Sequence, residues 1–277
     1  VPKPVTATLE IFPTPADLAI AAAKLFARHV HQAVATRGIA RIALSGGSTP
    51  KGMFQILADP NQPFAETMPW DKLQLFWVDE RCVPPTDPES NFHMTTENLL
   101  SKVGIPPTNI FRMEGELDPE EAANRYESVI RNTLKLEGAE APHFDLVLLG
   151  MGDDGHTASL FPHTAGLDEL GRLVIANHVS QKDTPQKETW RITLTWPVIN
   201  TSAEVAFVIA GKDKAAVLAE VLTGPRDPER LPSQLIRPAT GKLLFLLDEA
   251  AAANLTDKAG PFTTVSGTHK VGTLDIG

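Results

Sequence analysis

Short apolar runs rich in Val, Ile and Leu recur at residues 39–44, 73–78, 144–149, 204–210 and 243–247, and each stops at glycines or polar residues. Unbroken runs of this length are the pattern of strands buried on both faces of a parallel sheet. Residues 5–12 alternate as a strand would, and 173–176 and 189–195 read as further strands. Between these runs the period becomes helical. Thr14-Pro15-Ala16-Asp17 supplies an N-cap, a proline at the first helical position and an acid in the first turn, and Gly38 closes the helix. Leu18, Ala22, Leu25, Phe26 and His29 lie on one stripe of it. Met53, Phe54, Ile56 and Leu57 mark a second helix, with Pro50 at its first position. Asp118-Pro119-Glu120-Glu121 opens another, to about Leu136, and an amphipathic helix ends near Leu222. A short helix from Asn91 or Phe92 to Leu100 follows a loop, 83–91, whose prolines forbid regular structure. The final twenty residues show little periodicity and receive no element.

Strands alternating with helices predict an α/β fold: a mainly parallel, Rossmann-like sheet with helices on both faces. A hydrophobic content of 42% supports a large core, and no linker, charge block or repeat divides residues 1–277, so one domain is expected. The net charge of −9 argues against a duplex nucleic acid or an anionic membrane as partner. Cys82 is the sole cysteine, which excludes an internal disulfide and disfavours a Cys-based zinc site. With no apolar run of about 18 residues, a cytoplasmic monomer is expected, and Val1 suggests a removed start Met or a lost leader.

The chemistry gathers where the apolar runs end. Ser45-Gly46-Gly47-Ser48-Thr49 follows one strand and begins a helix, whose free N–H groups and dipole suit a phosphate. It is neither a Walker A loop nor a dinucleotide fingerprint. Asp79-Glu80-Arg81 follows the next strand, and Gly150-Met151-Gly152-Asp153-Asp154-Gly155-His156 another. Gly211-Lys212 follows a fourth, and Arg191 adds a further cation. In a parallel sheet these ends share one edge, so the loops are predicted to converge on one cleft. The bland reading of the 150–156 segment is a tight turn whose Asp153 and Asp154 cap the next helix.

Anion-binding groups (residues 45–49, Arg191, Lys212 and Arg81) beside a histidine and carboxylates suit acid–base chemistry on a phosphorylated small molecule. Other hydrolytic schemes fit less well. Ser45 lacks the Gly-x-Ser-x-Gly setting of α/β serine hydrolases, and His156 with His163 has no usual zinc spacing. Asp153 and Asp154, being adjacent, lack the alternation of a calcium loop. No metal and no cofactor are expected. His156 is the candidate general base, with Asp154 or Asp79 orienting it; main-chain N–H groups or Arg81 are the candidates for holding an oxyanion.

Three motifs, at 45–50, 78–81 and 150–162, resemble those of the 6-phosphogluconolactonases, which share a superfamily with glucosamine-6-phosphate isomerases. The resemblance implies hydrolysis of 6-phosphoglucono-1,5-lactone to 6-phosphogluconate in the oxidative pentose phosphate pathway, without a cofactor. The isomerases are the nearest rival. They resemble the chain through Asp-Gly-His but continue as Phe-Asn-Glu-Pro, whereas Ser159-Leu160-Phe161-Pro162 stands here, so Phe161 takes the place of their ring-opening acid. Their Asp-Glu-Tyr is Asp79-Glu80-Arg81. A sugar-phosphate-sensing domain of a transcription regulator is the alternative from another class. Against it stand the acidic charge and the lack of a recognisable helix-turn-helix.

Overall fold

The computed structural model describes residues 5–180, 189–255, 259–265 and 267–276. In chain order the strands are β1 (Val5–Phe12), β2 (Ala40–Leu44), β3 (Leu73–Trp77), β4 (Asp79–Arg81), β5 (Ile110–Phe111), β6 (Leu146–Leu149), β7 (Val174–Val179), β8 (Thr189–Leu194), β9 (Glu204–Ile209), β10 (Lys242–Asp248), β11 (Thr263–Val265) and β12 (His269–Ile276). The helices are α1 (Pro15–Arg37), α2 (Ser48–Ala58), α3 (Phe64–Thr67), α4 (Asn91–Thr95), α5 (Pro119–Leu134), α6 (Trp196–Ile199) and α7 (Ala215–Thr223). One sheet has the order β11-β12-β1-β10-β9-β6-β2-β3-β5; a smaller one has the order β4-β8-β7. Every pairing from β1 across to β5 is parallel, and only β12 and β11 join antiparallel.

The unbroken apolar runs divide strictly by period two. Val147, Leu149, Val205, Phe207, Phe245 and Leu247 enter the core on one face, while Leu146, Leu148, Ala206, Val208, Leu244 and Leu246 enter the other. Each face is covered. α1 and α2 supply Leu18, Phe26, Phe54 and Leu57 to one core, and α5, α7 and the small sheet supply Tyr126, Leu218 and Ile192 to the other. Both long helices start as their sequences demand: Thr14 Oγ1 accepts the Asp17 amide, and Asp118 accepts the amides of Glu120 and Glu121. No helix among the described residues is long and apolar enough to cross a membrane.

β5 spans two residues and pairs only with Leu75 and Phe76, leaving the buried Trp77 peptide beyond its end. Tyr126 of α5 takes the absent strand's place, its hydroxyl accepting from Trp77 N at 2.8 Å and donating to Trp77 O at 3.2 Å. Tyr126→Phe leaves both groups without that partner and is expected to cost about 1–3 kcal/mol. A lower urea midpoint with an unchanged slope will register it. An unshifted midpoint will mean that water replaces the hydroxyl.

The structure corrects or completes the sequence expectation in several places. Asp79-Glu80-Arg81 is not a loop but strand β4, and it pairs antiparallel with β8 in the small sheet. Residues 173–176 and 189–195 are strands as expected, and they belong to the same small sheet as the antiparallel pair β7 and β8. The final residues form β11 and β12, the latter lying antiparallel beside β1. α2 also begins two residues earlier than expected, at Ser48, so Pro50 stands third, still within the first turn where an N–H has no helical partner. Val78 joins the two sheets: its N–H donates to Leu44 O of β2 at 2.8 Å, and its carbonyl accepts from Leu194 N of β8 at 2.7 Å.

Candidate active site

The carboxyl ends of β2, β6 and β9 and one face of the small sheet enclose a cavity of about 360 Å³. Its walls include Ser45, Gly46, Gly47, Ser48 and Thr49 after β2, Asp79 and Arg81 on β4, Gly150, Gly152 and His156 after β6, and Arg191 on β8. The fourth loop contributes Asp213 and Lys214. Lys212 does not line the cavity. Gly211, at φ +102°, starts a single tight turn that leaves Lys212 exposed and puts Lys214 inward, 3.2 Å from Asp213.

The β2 loop makes its turn by close approach. A Cβ on Gly46 would stand 1.9 Å from Asn91 Oδ1, so only glycine lets the loop lie against α4. Gly47, at φ +114°, precedes α2 and offers no side-chain cap, unlike Thr14 and Asp118 on the other long helices. The first N–H groups of α2 therefore lie in the cavity wall uncapped, at the positive end of the helix dipole.

The β6 loop folds around its histidine. Gly152 N donates to His156 O at 2.9 Å, and Thr157 Oγ1 donates to Gly150 O at 2.8 Å. Asp154 Oδ1 accepts both the His156 amide, at 3.0 Å, and ring Nδ1, at 2.6 Å. Burial is the largest influence on Asp154 and pushes its carboxyl up, but the hydrogen bond and charge of His156 together with backbone donors outweigh it, holding the group below its ordinary value. An ionised carboxylate only accepts, so Nδ1 carries the proton and Nε2 is the basic nitrogen. The imidazole lies flat on Phe161, with centroids 4.0 Å apart and planes at 23°, and its side chain is 18% exposed. The neighbouring Ala158 holds φ +50° in the cavity wall, a left-handed conformation rare for alanine.

Of the two acids considered as partners of His156, Asp154 is the one hydrogen-bonded to its ring. Asp79 instead accepts from Ser159 Oγ at 2.7 Å and from Asn91 Nδ2 at 3.3 Å. Register sets Asp79 opposite Thr193 and Arg81 opposite Arg191, so alternation brings Asp79, Arg81 and Arg191 to one face of the small sheet. Glu80 faces the other way and holds the proline-rich loop. It accepts the amides of Arg81, Asn91 and Phe92 and the Ser90 hydroxyl, while burial raises its pKa against those bonds. Burial, and then the charge of Arg81, lower the pKa of Arg191, whose guanidinium lies 5.7 Å from the Phe161 ring centre. Arg81 donates to Glu89 O at 2.5 Å, yet its Nε, the Arg191 Nε and the Ser45 hydroxyl are buried without a partner among the described residues.

Asn91, Ser159, Asp213 and Lys214 escaped the sequence reading. Asn91 and Ser159 act through partners 12 and 80 residues away, which no local pattern announces. A serine inside a motif at a strand's end, with no helix of its own to cap, was the available signal.

The arrangement defines a class: an α/β protein with a cationic cavity at its strand ends and an aspartate-oriented histidine in the wall. A family model described as "Glucosamine-6-phosphate isomerases/6-phosphogluconolactonase" matches residues 13–245. The chain is 41% identical over 227 residues to a 6-phosphogluconolactonase of Synechocystis, spanning 82% of this chain and 89% of that one. It is 40% identical over 250 residues to a Nostoc 6-phosphogluconolactonase, spanning 90% and 98%. Among solved structures, 6-phosphogluconolactonase from Trypanosoma cruzi superposes with a TM-score of 0.77 at 33% identity, over 90% of this chain and 96% of that one. The protein belongs to the glucosamine-6-phosphate isomerase/6-phosphogluconolactonase family.

Proposed function

We propose that this protein hydrolyses 6-phosphoglucono-1,5-lactone to 6-phosphogluconate, with His156 as general base. One observation carries the reading: His156, whose Nδ1 lies 2.6 Å from Asp154, lines the same cavity as the uncapped start of α2. His156 Nε2 takes a proton from water as the water oxygen attacks the lactone carbonyl carbon. The tetrahedral intermediate then expels the ring oxygen, which receives that proton from the imidazolium, leaving a carboxylic acid that ionises. Asp154 stabilises the transient imidazolium by charge and hydrogen bond. The phosphate meets the N–H groups at the start of α2, Arg191 and Lys214, while Arg81 offers positive charge to the developing oxyanion.

Phe161 favours hydrolysis over isomerisation. It is 1% exposed and stacked on the imidazole, so no carboxylate stands at that position to open a sugar ring. Freshly prepared lactone should release acid faster with the protein than by its spontaneous hydrolysis. A rate equal to the spontaneous one removes this function, and ketose formation from an aldosamine phosphate would replace it.

A further inference from the structure

The Ser159 side chain is fully buried, and each of its three polar groups reaches a different strand of the small sheet. Its hydroxyl donates to Asp79 on β4 at 2.7 Å, its amide donates to Thr193 Oγ1 on β8 at 3.2 Å, and its carbonyl accepts from Asn177 Nδ2 on β7 at 2.8 Å. Amide and carbonyl already tie the loop to β8 and β7. The hydroxyl acts on a carboxylate that shares a cavity with two arginines.

Asp79 is a diagonal cross-strand neighbour of Arg191 and the next residue but one to Arg81, on the same face. Diagonal pairs are within reach of a long side chain. An aspartate so placed tends to form a bidentate pair with a guanidinium, which cancels the charge and occupies the donors an anionic ligand needs. Here Asp79 Oδ2 is engaged by Ser159, Oδ1 is approached by Asn91, and the Asp79 carbonyl accepts from Asn91 Nδ2 at 2.9 Å. The Nε atoms of both arginines stay without partners among the described residues.

We infer that Ser159 is a positioning residue: with Asn91 it restrains the Asp79 carboxylate and keeps it from pairing with Arg81 and Arg191, leaving their positive charge for the anionic groups of the ligand. The inference rests on reading the cavity as a sugar-phosphate site. It assigns Asp79 a place in the wall as a restrained counter-charge, and makes ligand affinity depend on a serine that does not line the cavity.

The test is a double-mutant cycle on the full chain. Ser159→Ala keeps the amide and carbonyl bonds but frees Asp79 Oδ2 to pair with an arginine. KM for the lactone and the Kd of 6-phosphogluconate measured by calorimetry should both rise about tenfold, with kcat within about twofold. Adding Asp79→Asn removes the competing charge and should return both constants to within about threefold of wild type. Loss through loosened structure would instead persist or grow in the double variant. Should Ser159→Ala fail to fold, Ser159→Cys keeps the volume with a far weaker donor and enters the same cycle. An unchanged KM and Kd in the single variant, or no recovery in the double, overturns the inference while lactone hydrolysis by wild type stands. A wild-type protein that neither turns over lactone nor binds 6-phosphogluconate brings down the functional reading and this inference with it.

Discussion

Replacing His156 with Asn is expected to cut lactone turnover by about 10²–10⁴-fold, the usual contribution of a positioned general base. Asn has no group that gains a proton near neutral pH, so water must attack the carbonyl unassisted. Ligand affinity should change little, because the start of α2, Arg191 and Lys214 belong to other elements of the wall. The measurement is therefore a pair: kcat by acid release and the Kd of 6-phosphogluconate by calorimetry. A large fall in kcat beside an unchanged Kd fits a residue acting on the reaction. Turnover retained by the variant would move the base elsewhere.

Gly152→Ala is expected to lower kcat by about 10²-fold through misplacement of the same imidazole. The added Cβ would stand 2.1 Å from His156 Nδ1, 2.2 Å from Cε1 and 2.7 Å from Asp154 Oδ1, so it invades the orienting hydrogen bond itself. The ring has little room to yield. It is stacked on a buried Phe161, and the Gly152 amide is bound to the His156 carbonyl. A thermal melt separates this local effect from unfolding: the melting temperature should move far less than the rate. Near wild-type kcat would show that the 150–156 loop relaxes around a methyl group.

β2, β3, β6, β9 and β10 of the large sheet were legible because each is buried on both faces, which turns a period-two pattern into an unbroken apolar run. Of the small sheet, β7 and β8 were read as strands but β4 was not. β4 is three residues long, and its polar residues follow a buried run so closely that they read as the loop after it. β12 was missed because it is half exposed and carries Gly272 and Thr273, which dilute the alternation that its pairing with β1 imposes. Within the site, the meeting of the β2, β6 and β9 ends followed from parallel topology alone. The choice between Asp154 and Asp79 did not, since each stood within plausible reach of the ring until the Nδ1 contact and the Ser159 bond were seen. Lys212 and Lys214 are separated only by where one tight turn begins.

Val78 is a common rivet: its N–H grips the sheet that positions the histidine loop and the α2 start, its carbonyl the sheet that positions both arginines. Sliding one layer past the other would break one of its two grips and alter the spacing between the proton acceptor and the guanidiniums. Redesign of either layer is thereby constrained, because a register change that is harmless to packing still misaligns the two halves of the pocket.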